Sequence, residues 1–243
     1  LEFRRVLFRS GEDARVIVGR ADLALAQGDP VAAIEILEAG AESAPDSPAI
    51  LHRLIDVLFD QERVDDIPAR VDRLRELEGD DAPAVMWSDA RMLMSRGQWL
   101  QAIETLRKLR PSVASVKTLL HNCDLALAMC HQNLGQGDEV LEAARRVLAD
   151  DPNSYQARVA LATAHMLAGR TDEALAELES LARAQTPDEL AARQLLWGPL
   201  LQVRIQDQLR RDPEQQNWEA VDSLVDRKST RLNSSHTVIS YAV

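Results

Sequence analysis

The sequence predicts an all-α fold of stacked antiparallel helix pairs, an α-solenoid, and three observations carry that prediction. Residues 134–182, LGQGDEVLEAARRVLADDPNSYQARVALATAHMLAGRTDEALAELESLA, run through Leu-Gly, a helical apolar stretch, Asp-Pro, a second apolar stretch and Ala-Gly, and then begin again, so that Gly135 and Gly169 stand 34 positions apart. A period of that length belongs to helix-turn-helix units that cannot bury their apolar faces alone and therefore stack. The chain is also 46% hydrophobic but only 4% aromatic, a composition of small Ala and Leu contacts that suits helices and suits strands poorly.

Taken in order, the first unit spans residues 14–45. Ile17, Ala21 and Ala24 share one stripe at helical spacing, Gly28 breaks the helix, and Asp29 with Pro30 opens the next by an N-cap and a preset φ. Ala33, Leu37 and Gly40 form the facing stripe. The second unit opens with Ser47 as cap and Pro48 in the first turn, and carries Leu51, Leu54, Ile55 and Leu58. No glycine marks its turn, although Glu62 stands 34 after Gly28. Its second helix is expected over about 65–77, with Pro68 tolerated in the first turn, where the missing N–H has no internal partner anyway. Ile67, Val71 and Leu74 form its buried stripe and Gly79 ends it.

Pro83 opens the third unit, in which Met86, Ala90 and Leu93 are expected to face inward, Gly97 turns, and Trp99 precedes the stripe Ala102, Ile103, Leu106 and Leu109. Arg110-Pro111-Ser112 then breaks the pattern, and Gly135 follows Gly97 by 38 positions, which implies a longer connection. In the fourth and fifth units Leu127, Ala128 and His131 face Val140, Ala144 and Val147, and Leu161, Ala162 and His165 face Ala174, Leu178 and Leu181, with Asp151-Pro152 between them. Thr186 and Glu189 then supply a capping box. A long helix follows, expected to bend at Gly198-Pro199, and residues 217–221 read as the start of a further second helix.

These units resemble tetratricopeptide repeats over nearly all of residues 14–225. The resemblance rests on a small residue inside each first helix (Ala21, Ala90, Ala128, Ala162), a turn glycine (Gly28, Gly97, Gly135, Gly169), an alanine early in most second helices (Ala33, Ala102, Ala174) and a closing proline (Pro45, Pro152). Paired helices approach closely only where side chains are small, and the turn needs a residue without a Cβ penalty. Ile55, Glu62 and Ile67 in the second unit and Val140 in the fourth depart from the pattern. The resemblance implies a right-handed superhelix of about five repeats and part of a sixth, whose first helices line a concave groove that commonly holds a peptide or a partner's helix.

In that register the groove stripe comprises His52, Asp56, Phe59, Trp87, Arg91, Met94, Asn122, Leu125, Met129, Gln132, Asn133, Gln156, Val159, Thr163 and Met166. Aromatic and Met anchors beside amide and Arg groups are the mixture of adaptable binding surfaces, and simple packing of Phe59, Trp87 and Met129 on the next repeat is the competing reading. The family's chaperone-binding members hold a terminal carboxylate with Lys and Asn on this stripe. Here the corresponding places carry Asp22, His52, Asp56, Trp87, Arg91 and Leu125, so no such clamp is expected, and Arg91 is left either to hold a carboxylate alone or to pair with a neighbouring acid.

The ends read differently from the rest. Residues 1–10, LEFRRVLFRS, can be encoded by a DNA sequence whose reverse complement, in another frame, encodes DRKSTRLNSS, which is residues 226–235. That DNA resembles a sequencing adapter whose continuation would also encode residues 239–243. Residues 1–10 and 226–243 are therefore read as non-native ends around a repeat domain of residues 11–225. The formal charge of −11 becomes −15 once six cations (Arg4, Arg5, Arg9, Arg227, Lys228, Arg231) and two anions (Glu2, Asp226) are set aside. Clustered Lys and Arg, on which phosphate binding rests, are missing, so nucleic acid is disfavoured as a partner. With the natural ends absent the compartment stays open, the cytoplasm being favoured, and no membrane contact is expected of this segment.

No phosphate-cradling loop, HExxH, GxSxG or paired CxxC occurs, and Gly135-Gln136-Gly137 lacks the third glycine and the strand of a dinucleotide fingerprint. Cys123 and Cys130 would share a helix face about 10 Å apart along the axis, too far for a disulfide, and are expected to be small buried thiols. His131 and His165 recur 34 apart, as packing positions do. Glu139, Glu142, Glu173 and Glu177 are expected on solvated outer faces, paired at i,i+4 with residues such as Arg146. No catalytic residue, metal ligand or cofactor is assigned. The expectation is a non-enzymatic scaffold that binds a protein or peptide; the alternative is a regulatory or targeting segment of a larger enzyme or membrane-anchored protein.

Overall fold

A computed structural model describes residues 13–183, 187–219 and 221–223. Among them the regular elements are helices: α1 (Ala14–Ala26), α2 (Pro30–Ser43), α3 (Pro48–Asp60), α4 (Pro68–Glu78), α5 (Pro83–Ser95), α6 (Trp99–Ser112), α7 (Lys117–Asn133), α8 (Gly137–Asp150), α9 (Tyr155–Leu167), α10 (Thr171–Arg183) and α11 (Pro187–Arg210), with short 3-10 turns at Val64–Asp66 and Pro213–Gln215. The chain divides into two compact units, residues 1–116 and 117–243. In the first, α1–α6 form three hairpins, each packed on the next through α2–α3, α1–α3 and α4–α5. The second repeats that scheme with α7–α8 and α9–α10 and closes on α11, which lies against both α9 and α10.

Local chemistry accounts for the helix limits. Asp29 accepts the Ala32 N–H at 2.9 Å, with Pro30 in the first turn, and Asp13 does the same for Arg15 at 3.0 Å, satisfying donors that a helix start leaves unpaired. Gly28, Gly97, Gly135 and Gly169, the turn residues of four hairpins, all have φ between 70° and 79°. In the second hairpin Glu62 occupies the same place with φ 56°, the only positive φ on a non-glycine among the described residues. The register that aligned Glu62 with Gly28 holds, and this turn carries the Cβ–carbonyl strain the others avoid.

The stripes Ile17/Ala21/Ala24, Ala33/Leu37/Gly40, Leu51/Leu54/Ile55/Leu58, Ile67/Val71/Leu74, Ala102/Ile103/Leu106/Leu109, Leu127/Ala128/His131, Val140/Ala144/Val147 and Ala174/Leu178/Leu181 are buried as expected. Several details differ. Met86, Leu93, Leu161 and His165 are only half-buried, and on α5 Val85 and Ser88 are buried beside Ala90. A helix held between two neighbours buries two faces, so its inner stripe is broader than one helical row and turned relative to it. Ser47 occupies its cap position without a side-chain bond. The helix expected from about residue 65 begins as a 3-10 turn and becomes α-helical at Pro68.

Pro111 does not end α6; the helix carries it in its last turn and runs on to Ser112. There it removes at most one bond of the ladder, and Ser112 Oγ donates to the Leu109 carbonyl at 2.6 Å. Nor is the extra spacing before Gly135 a longer connection. The links 44–47, 79–82, 113–116 and 151–154 each hold four residues, whereas α7 has 17 residues against 13 in α1, α3, α5 and α9. Four added residues make about one helical turn, so the insertion lengthens α7 and returns the chain to the same face.

Residues 1–10 and 226–243, and Thr186 of the expected capping box, lie outside the described residues. Helix α11 passes unbroken through Gly198-Pro199, and residues 219 and 221–223 are helical, with Asn217 Oδ1 accepting the Glu219 N–H at 2.9 Å.

Candidate functional site

The stripe proposed from the sequence falls on both units, on α3 and α5 in the first and on α7 and α9 in the second. Spacing of 3.6 residues per turn places His52, Asp56 and Phe59 on one row of α3 and Trp87, Arg91 and Met94 on one row of α5. The two rows meet at Arg91. Its Nη1 donates to Asp56 Oδ1 at 2.9 Å, its Nη2 lies 3.5 Å from Asp60, and its guanidinium carbon sits 3.9 Å from the centroid of the Phe59 ring. Phe59 in turn packs against the core formed by α1–α5. Of the two roles open to Arg91 the structure shows the second: it pairs with neighbouring acids, while the aromatic face takes up the remaining charge.

The same stripe continues toward α1, where Arg53 Nε donates to Asp22 at 2.6 Å. Asp22, Arg53, Asp56, Arg91 and Asp60 therefore form a chain of alternating charge across three first helices, with one anion in excess. Partial burial of Asp56 pushes its carboxyl above the ordinary value of 3.8, outweighing the opposing pull of Arg91, with Asp60 adding repulsion. His52 Nε2 lies 3.1 Å from Glu78 at the end of α4, so this ring is drawn to its own second helix. Trp87 and Met94 are half-buried.

The face in the second unit has a different chemistry. Asn122, Met129, Gln132, Asn133 and Gln156 are exposed, Leu125, Val159, Thr163 and Met166 are half-buried, and none carries a charge. Asn133 donates to the Met129 carbonyl at 2.9 Å and Thr163 to the Val159 carbonyl at 3.0 Å, both within their own helices. Val159 and Met166 pack against the core of Ala162, Ala174, Leu178, Leu181, Leu200 and Val203, so these two contribute to stacking. Met129 remains 44% exposed.

Several polar groups were not foreseen. Asp124 is buried on α7 and accepts Arg146 Nε at 2.7 Å, while Arg146 also holds Glu142 at 3.0 Å as the i,i+4 spacing predicts. Glu177 is not the solvated outer charge expected. It accepts Arg158 Nε at 3.0 Å and Nη2 at 2.8 Å, with its side chain 29% exposed. The available signal was an acid or Arg at mid-helix in an otherwise apolar row, with its opposite some 20 positions on in the paired helix.

The two equivalent histidines both brace a turn. His131 Nδ1–H donates to Gln136 Oε1 at 2.6 Å, and His165 Nδ1 accepts Arg170 Nε–H at 3.0 Å, each partner five residues on. Burial and Arg170 push the His165 imidazole below 6.5. Cys123 and Cys130 are buried, and burial pushes the Cys130 thiol up to about 11, which leaves it un-ionised and unreactive. Between α2, α3 and α4 an open cavity of about 390 Å³ has Leu51 and Leu54 in its lining. The arginines at its rim already hold acids, Arg70 with Glu38 at 3.3 Å and Arg73 with Asp46. Among the described residues no group of three or more His, Cys, Asp or Glu is arranged to hold a metal, and no helix is long and apolar enough to cross a membrane.

Hairpins of paired helices packed on one another within each unit, with small residues where helices cross and first helices that carry mixed polar and apolar groups, define a class of repeat proteins typical of protein–protein interaction scaffolds. The family model for the tetratricopeptide repeat matches residues 24–86 and 133–196, more than half of the chain, and the chain belongs to the tetratricopeptide repeat family. Solved structures agree on the fold. A thermophilic tetratricopeptide repeat protein of Thermus thermophilus is 20% identical over 77% of this chain and 99% of that one, with a TM-score of 0.63. PilW, a widely conserved type IV pilus biogenesis factor, is 15% identical over 87% of this chain and 98% of its own, with a TM-score of 0.64. A tetratricopeptide repeat protein from Parabacteroides merdae is 15% identical over 79% and 72% respectively, with a TM-score of 0.56. No curated protein matches the chain.

Proposed function

We propose that the chain is a non-enzymatic scaffold that binds a peptide or protein through first-helix faces, the α7–α9 face of the second unit offering apolar anchoring and the α3–α5 face of the first unit, taken by itself, electrostatic selection. The observation that carries the reading is Met129, 44% exposed, on a face shared with the exposed amides of Asn122, Gln132 and Gln156. A flexible thioether surrounded by uncharged donors and acceptors suits a segment presenting an apolar side chain and its own backbone. The charge of the chain, −11, and the surplus anion of the charged row that runs over α1, α3 and α5 favour a partner with net positive charge.

The test is capture of partners by the parent chain and by Met129→Ala and Trp87→Ala, with helicity checked by circular dichroism. Each substitution is expected to weaken binding about 5- to 30-fold, the effect of losing about 1–2 kcal/mol at an interface anchor. Retention of every partner at parental strength by both variants would reject these faces as the binding surface.

A further inference from the structure

The Arg91 guanidinium rests in a seat built by a single helix. Asp56, Phe59 and Asp60 stand at i, i+3 and i+4 of α3 and so share one face. They meet the guanidinium with one carboxylate at 2.9 Å, a second at 3.5 Å and the face of an aromatic ring at 3.9 Å. Carboxylates that match a planar fork, with a ring on which it stacks, are the groups that tell arginine from lysine. Helix α3 ends at Asp60 with no basic residue in its last turn, and the partial negative charge of the helix end adds to the attraction for a cation. Helix α5 supplies only the occupant: among the described residues, the acids and the ring that meet the Arg91 charge all lie on α3. Phe59 packs against the core of the first unit, which holds the seat in place independently of Arg91. The Arg91 side chain is long and flexible and stays 22% exposed, and Asp60 is 67% exposed, so the seat is open to solution. Even with Arg91 present, two carboxylates face one guanidinium, and burial first, then Asp60, keeps the Asp56 carboxyl above 3.8.

We propose that Asp56, Phe59 and Asp60 form a receptor for an arginine side chain of a positively charged partner segment, and that Arg91 is a resident stand-in which that arginine displaces. The inference rests on the proposed binding role only in placing a partner on this face. The occupant follows from chemical identity, since the group already seated is a guanidinium, and from the surplus carboxylate, which favours a cation over any other newcomer. Arg91 competes at the high effective concentration of a tethered group. A lone arginine is therefore turned away, and one carried by a segment that is anchored elsewhere on the chain gains entry. The stand-in acts as a selectivity device, disfavouring segments that offer positive charge and no further contact.

The experiment removes the stand-in. Arg91→Ala and the more conservative Arg91→Gln are compared with the parent chain by NMR titration with acetyl-Gly-Arg-Gly-amide and acetyl-Gly-Lys-Gly-amide, helicity being checked by circular dichroism. Both variants are expected to bind the arginine peptide about tenfold more tightly than the parent does, and about threefold more tightly than the lysine peptide. Adding Phe59→Leu and Asp60→Asn to the Arg91→Gln chain is expected to abolish both differences. Binding no tighter than in the parent, or equal for the two peptides, overturns the proposal. So does loss of helicity in both variants, because a seat that needs Arg91 to stand cannot be handed to another arginine. The peptides reach the seat without any partner, so the two readings fail separately. No gain in arginine binding, beside partner loss in Met129→Ala, overturns this inference and leaves the binding role standing. Arginine binding in a chain whose partners ignore Met129→Ala and Trp87→Ala supports this inference and rejects that role for those faces.

Discussion

At the scale of single residues the packing is decided by a few side chains whose size leaves no alternative. Gly40 is the sharpest case: a Cβ there would lie 2.5 Å from Ile17 Cγ2, a methyl on a branched carbon with nowhere to swing, and 3.5 Å from Ile50 Cδ1. Gly40→Ala is therefore expected to destabilise the first unit by about 1–3 kcal/mol despite the better helix propensity of alanine. Urea unfolding of parent and variant measures it, and a gain in stability would mean that the three helices do not meet at this point. The apolar stripe containing Gly40 was legible from helical spacing. The reason for a glycine within it was not, because Ile17 and Ile50 reach it from two other helices. The buried Asp124–Arg146 pair escaped sequence reading for the same reason: which acid meets which arginine depends on the angle at which α7 crosses α8.

At the scale of elements, turns and helix ends carry the testable content. Glu62 holds the left-handed place that glycine holds in four other hairpins, so Glu62→Gly is expected to raise stability by about 0.5–1 kcal/mol, the strain removed being partly offset by the freedom glycine gains when unfolded. A lower Tm for this variant would show that Glu62 makes a contact worth more than its strain. The α9–α10 turn predicts a pH dependence. His165 accepts the Arg170 N–H as a neutral ring, and its folded pKa lies below the ordinary 6.5. Above 6.5 both folded and unfolded rings are neutral and this contribution is complete. As pH falls through 6.5 the unfolded chain takes up the proton first, so stability is lost from there down to the folded pKa. His165→Gln should remove that slope, and the stability gap between parent and variant should narrow between pH 7.5 and pH 5.5. A gap that stays constant would show that the ring titrates normally. The histidine period was visible in the sequence; the i+5 brace was not, since it needs the coordinates of the turn.

At the scale of the whole molecule, the sequence by itself determined the repeat, the all-α class, the turn positions, most of the buried rows and the acidic character. Each of these is local or additive: helical periodicity, capping chemistry and net charge are properties of short segments or of simple composition. Only the tertiary structure decided that Arg91 is committed to Asp56, Asp60 and the ring of Phe59, that Glu177 holds Arg158, and that Val85 and Ser88 go inside while Met86 stays half-exposed. It likewise placed the extra four residues before Gly135 inside α7. Those outcomes turn on which face each helix offers to neighbours 20 to 35 positions away, and a rotation of one residue, about 100° on a helix, is enough to exchange a buried side chain for an exposed one.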